Sequence, residues 1–233
     1  MNRRTALILL AGTAAVGGTW AFTRPQPGQT SFDLPGAANA QDAESPEAAE
    51  IDTSTVQDMV LGDPDAPVTM IEYGSFTCPH CAAFHAEQYQ ELKRDYIDTG
   101  KVRFIFREVY FDRFGLWASM VARCGGELRF FGIHDLIYET QSEWIAGGRD
   151  PAAIADNLRR LGIQAGLDGE QVDACLSDAT TAETLVAWFQ ENAEADEVQA
   201  TPTLMVQGEK YSNMAYDDLS AILDEALAEA GAE

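Results

Sequence analysis

Ser75-Phe76-Thr77-Cys78-Pro79-His80-Cys81 is the stretch that decides how this chain is read. The apolar run Val68-Thr69-Met70-Ile71-Glu72-Tyr73 leads into it, and a helix-forming segment follows. Apolar strand, C-x-x-C and helix, in that order, form the pattern of a thiol–disulfide redox site. The first turn of a helix holds backbone N–H groups without intrahelical partners, and its dipole favours negative charge. A thiolate at Cys78 is therefore expected to form well below the pH at which a free cysteine ionises. Pro79 suits an early helical position, where its missing N–H is not needed. His80, as imidazolium or N–H donor, adds to the stabilisation of the anion. Cys81, one turn on, is placed to resolve a mixed disulfide and is expected to be the more buried thiol. Stabilising the reduced thiolate makes the disulfide a stronger oxidant.

Two plainer readings compete. A zinc site wants a second pair of Cys or His ligands at similar spacing. His85 and His134 are the only other histidines, and there is no second C-x-x-C, so no metal is expected. A purely structural disulfide is the other.

Glu72-Tyr73-Gly74-Ser75-Phe76-Thr77-Cys78-Pro79-His80-Cys81 resembles the active-site segment of the DsbA family of periplasmic thiol oxidases, within the thioredoxin-like superfamily. The likeness runs from about Thr55 to the C-terminus. It implies an α/β fold, a thioredoxin-like mixed sheet with an inserted all-helical domain, and no cofactor. It also implies that Glu72 is a buried acid beneath the cysteines, handling the proton that moves with Cys81. Arg103 or Arg107, on the next strand, is then its candidate basic partner. Ala200-Thr201-Pro202-Thr203-Leu204-Met205-Val206 matches the second family landmark, which implies a cis Pro202 facing the cysteines. Thr201 then offers its backbone to an extended substrate by strand addition. Threonine at 201 departs from the valine of the best-known members, which bears on redox poise and substrate release. The expected partners are reduced exported proteins and a DsbB-type membrane oxidase.

Composition narrows the field further. The chain has 233 residues and a formal charge of −23. Such an acidic surface argues against nucleic acid or anionic membrane as partners. Residues 1–23 read as a signal peptide or N-terminal anchor, with Arg3-Arg4 before an apolar run. Residues 24–55, rich in Pro, Ala, Gln and Glu, read as a disordered linker. Residues 56–111 and 195–233 are assigned to the thioredoxin-like part, and 112–194 to the helical insert. These readings place the folded part in the periplasm, either free or anchored to the inner membrane.

Within the folded part, 79–97 reads as one helix with Phe84, Gln88, Leu92 and Tyr96 on one face and His85 at the surface. Lys101–Arg107 is a strand. Leu116–Cys124, Arg129–Glu139, Pro151–Leu161, Gly169–Leu176 and Thr181–Glu194 read as helices, and Tyr216–Ala230 as the last one. Cys124 and Cys175 are expected to pair in an oxidising compartment; free thiols or a second redox centre are the alternatives. Eight of the 12 basic residues after residue 41 fall between Lys93 and Arg129, as a local basic patch or a solvated face. The expected activity is a protein dithiol–disulfide oxidoreductase. An isomerase or reductase of the same fold is the first rival. A metal-handling or chaperone-like binding protein is the second.

Overall fold

The computed structural model describes residues 51–148 and 150–231. The proposed signal segment, and the linker up to residue 50, lie outside the described residues. Among the described residues, no helix is long and apolar enough to cross a membrane.

The sheet is built around β2 (Val68–Gly74), the apolar run before the cysteines. It pairs in parallel with β3 (Val102–Glu108) and antiparallel with β4 (Thr203–Val206). A short strand β1 (Met59–Leu61) borders β3 and β5 (Glu209–Ser212) borders β4, giving the order β1-β3-β2-β4-β5. Alternate side chains of a strand face opposite sides. Val68, Met70 and Glu72 thus share the face that enters the main core with Val102, Phe104 and Phe106. Tyr73 points the other way, into a smaller cluster with Val109 and Met205. The β4–β5 link is a tight turn with Gln207 at φ 50° and Gly208 at φ 88°. Positive φ at both central residues is the signature of the turn that matches strand twist.

Helix α1 leaves β2 through the cysteine loop and covers 79–97. It is α-helical over Pro79–Phe84 and Gln90–Leu92, and π-helical over His85–Tyr89 and Lys93–Ile97. The π turns hold more residues per turn, so residues spaced by four stay aligned. Two rows become buried: Phe84, Leu92 and Tyr96, and beside them Cys81, His85 and Tyr89. That corrects the surface placement of His85, which is only 3% exposed.

Between β3 and β4 the described residues form six α-helices, α2 (Arg113–Cys124), α3 (Glu127–Glu139), α4 (Gln141–Trp144), α5 (Pro151–Gln164), α6 (Gly169–Ser177) and α7 (Ala179–Ala195), and a 3-10 turn over Ile145–Gly147. α5 and α6 start where the sequence placed them, whereas α2 and α7 start two to three residues earlier, behind an aspartate cap, and α3 starts earlier behind Gly126. Asp112, Asp150, Asp168 and Asp178 accept hydrogen bonds from N–H groups of the first turns of α2, α5, α6 and α7. Such caps are worth about 1 kcal/mol each, which gives part of the acidic surplus a local role. The last helix, α8 (Tyr216–Glu229), packs Leu219, Leu223 and Leu227 inward.

The insert is tied together covalently and electrostatically. Cys124 at the end of α2 and Cys175 on α6 form a disulfide across 51 residues of chain. Glu108, 1% exposed, receives a two-pronged bond from Arg123 (Nε–Oε1 2.6 Å, Nη2–Oε2 2.7 Å) and another from the Ser119 hydroxyl. Arg123 also stacks over Trp188 of α7, at 5.2 Å, and donates to the Gln57 carbonyl. Half of the suspected basic patch is ion-paired. Lys93 is paired with Asp98, Arg94 with Asp95, Arg107 with Asp58, and Arg123 with Glu108.

Candidate active site

Cys78 is the N-cap of α1, in extended backbone conformation, with Pro79 just inside the helix. An N-cap side chain accepts hydrogen bonds from the free N–H groups of the first turn. The Cys78 sulfur makes no such bond as the neutral thiol; ionised, it becomes the acceptor. The Cys78 thiol is lowered to about 5, first by a hydrogen bond from the Cys81 thiol and then by the Thr201 hydroxyl and the N–H groups of Cys81 and His80. Together these outweigh the opposing effect of burial. The Pro79 and His80 side chains are exposed; what His80 brings to the sulfur is its backbone N–H.

Cys81 is fully buried while Cys78 is half-buried, and both are free thiols. Cys81 is pushed strongly upward, first because its proton is held in the hydrogen bond to Cys78, then by burial and by Glu72. The two sulfurs of one motif are thus driven apart: one anionic and accessible, the other neutral and enclosed.

Thr201 closes the opposite side. The Thr201–Pro202 peptide is cis, and the Cys78 thiol donates to the Thr201 carbonyl at 3.5 Å. The Thr201 hydroxyl is buried with no hydrogen-bond partner, which leaves it available to a thiolate.

Glu72 lies under the pair, 2% exposed, and is raised to about 8 by burial and by the Cys78 charge. Neither arginine on β3 serves it, which corrects the expected pairing. Glu72 stands opposite Phe106 in the sheet, whereas Arg103 and Arg107 stand opposite Thr69 and Tyr73. Both arginines therefore project from the other face. Arg107 is bound there to Asp58 and the Tyr73 hydroxyl. Glu72 is kept neutral rather than balanced by a cation.

The insert holds the cysteine loop through residues that motif reading did not single out. Gln141 Nε2 donates to the carbonyls of Phe76 and Cys78, at 2.9 and 3.0 Å. The Thr77 hydroxyl donates to Asp112 at 2.8 Å, the same aspartate that caps α2. A side chain at Gly115 would come within 3.3 Å of the Ser75 hydroxyl, so α2 can approach the loop closely. Asp112 carried a sequence signal as a cap ahead of a helix; Gln141 carried none.

The thioredoxin family profile matches residues 54–225. A Rickettsia bellii protein named "Putative protein-disulfide oxidoreductase" is 36% identical over 173 residues, 74% of this chain and 65% of its own length. This chain thus spans somewhat less than two thirds of that relative. Disulfide bond formation protein D of Bacillus subtilis is 27% identical over 72% of this chain and 76% of its own length. Among solved structures, Wolbachia pipientis alpha-DsbA1 aligns with a TM-score of 0.68 and 26% identity, over 75% of this chain and 92% of that one. The chain belongs to the thioredoxin family.

Proposed function

We propose that this protein is a dithiol oxidase that introduces disulfides into exported proteins in the periplasm. The observation that supports it most is the split between Cys78, stabilised as an accessible thiolate, and Cys81, held neutral and buried. In the oxidised enzyme a substrate thiolate attacks Cys78 Sγ. The Cys78–Cys81 bond breaks and its electron pair goes to Cys81. Glu72, protonated at neutral pH, supplies the proton that Cys81 takes. A second substrate thiolate then attacks the mixed disulfide at the substrate sulfur, and Cys78 leaves as its stable anion. The substrate departs with a new disulfide and the enzyme is left reduced. Thr201 and Pro202 present backbone to the substrate by strand addition. A membrane oxidase of DsbB type takes the two electrons onward.

The reduction potential tests this reading. With a thiolate this stable, the potential of the 78–81 couple is expected to lie above about −200 mV. A value near that of a reductase, about −270 mV, would overturn the oxidase reading in favour of a reductase. The pH dependence has a definite sign. Below pH about 5 reduction takes up two protons, and the potential falls by about 59 mV per unit. Above it Cys78 stays ionised, one proton is taken up, and the slope halves to about 30 mV.

A further inference from the structure

A row of polar side chains lies among the buried apolar ones of α1 and α3. Cys81, His85 and Tyr89 contribute to it from α1, and His134, Asp135 and Tyr138 from α3. His85 Nε2 and His134 Nδ1 both lie 3.0 Å from the same oxygen, Asp135 Oδ1. Burial alone would raise that carboxyl, yet the two imidazoles hold it down to about 2. The trio invites a metal reading, since its ligand atoms lie within 4.8 Å of one another. Its atoms already satisfy each other, however. A metal on Nδ1 would force a proton onto His134 Nε2, which is buried with no partner, whereas metal-bound histidines anchor that second nitrogen.

What the trio does hold is a ring. Tyr138 stacks on His85, with centroids 5.3 Å apart at 29°, and meets His134 edge-on at 5.0 Å. Phe76 of the cysteine loop closes a third side at 5.2 Å. The ring is wedged so that its hydroxyl reaches the end of β2, where a side chain at Gly74 would come within 3.0 Å of it. Cys81 lies one helical turn before His85, on which the ring stacks, and burial, then the nearby Cys81, Glu72 and Cys78, hold the hydroxyl well above the usual tyrosine range. It is buried and makes no hydrogen bond in this dithiol state. An unpaired buried hydroxyl costs about 1–3 kcal/mol, so its position calls for a state in which it is paired.

We propose that the Tyr138 hydroxyl is a catalytic donor to the Cys81 sulfur, and that His85, His134 and Asp135 are positioning residues that clamp its ring. The proposal rests on the oxidase reading and deepens it. When a substrate thiolate attacks Cys78, the leaving electron pair arrives on Cys81, an enclosed sulfur that charges reluctantly. The Tyr138 O–H donates to that sulfur while the charge develops and keeps its own proton; Glu72 delivers the proton that Cys81 finally carries. The same bond assists the reverse step, when Cys81 must ionise to close the disulfide. A donor unpaired in the resting state and paired in the transition state lowers the barrier rather than the ground state.

The test is single-turnover reduction of the oxidised full chain by dithiothreitol, followed by acid quench. Tyr138→Phe is expected to slow the attack about tenfold while leaving the Cys78 titration midpoint within a few tenths of a unit. Asp135→Asn is expected to slow it about threefold in the natural background and not at all when added to Tyr138→Phe. A clamp that acts through Tyr138 gives that non-additivity; a merely structural role adds. Should Tyr138→Phe fail to fold, 3-fluorotyrosine at 138 keeps the shape and donates more strongly, and is expected to raise the rate above the natural protein. An unchanged rate in the Phe variant, an unchanged or lower rate in the fluorinated one, or additive effects at Asp135 overturn the proposal. Absence of exchange in the unaltered protein would instead overturn the oxidase reading itself, so the two failures are distinct.

Discussion

Exchange of Cys78 for serine is expected to lower the rate of disulfide transfer to a reduced peptide by at least about a thousandfold, the scale on which removal of a nucleophile is felt. The reason lies in the asymmetry of the site. Only the Cys78 sulfur combines access with hydrogen bonds from Cys81, Thr201 and the helix N–H groups. Serine cannot form a disulfide. Cys81→Ser has a different outcome. Cys78 remains reactive, so mixed disulfides with substrates accumulate because nothing displaces them from inside. Non-reducing electrophoresis separates the two cases: no adducts for the first variant, stable adducts for the second. Adducts through Cys81 in the Cys78 variant would reverse the assigned roles.

The largest effect on stability is expected at Arg123. Glu108 sits 1% exposed and depends on Arg123 for both of its oxygens. Removing one partner of a buried pair strands the other charge, at a cost of about 3–5 kcal/mol. Arg123→Met keeps the apolar stem against Trp188 and removes the charge. Its melting temperature is expected to fall on the order of 10 °C. Replacing Glu108 with Gln in the same chain should restore most of that loss, because no charge is then stranded. If the double variant is no more stable than the single one, packing by the guanidinium carries the effect.

Much of this molecule could be read ahead of its coordinates, for identifiable reasons. The cysteine loop, β2 and the Thr201-Pro202 strand announce themselves by local chemistry: two thiols at fixed spacing, Pro at two particular places, β-branched runs. The alternation of β2 also carried more than was taken from it. Glu72 shares the phase of Val68 and Met70, which assigns it to the core face, and the phase of Arg103 and Arg107 assigns them to the other. The misplacement of His85 came from assuming ordinary α-helical winding through a segment that contains π turns. Gln141 and Tyr138 were invisible because what they do depends on where α3 and α4 dock against the cysteine loop. No local pattern encodes that docking. The Arg123–Glu108 pair, 15 residues apart, was hidden in the same way.

The account stands on the acidity of one sulfur, and a titration reads it directly. Thiolate absorbance near 240 nm, followed in the reduced full chain from pH 3 upward, is expected to rise with a midpoint at about 5. Cys78→Ser should abolish that step. The same shift gives the reduced protein a stability contribution that is fully present above the pH of ordinary thiol ionisation and lost as pH falls through about 5. A midpoint between about 8 and 9, where a free cysteine titrates, would contradict the account.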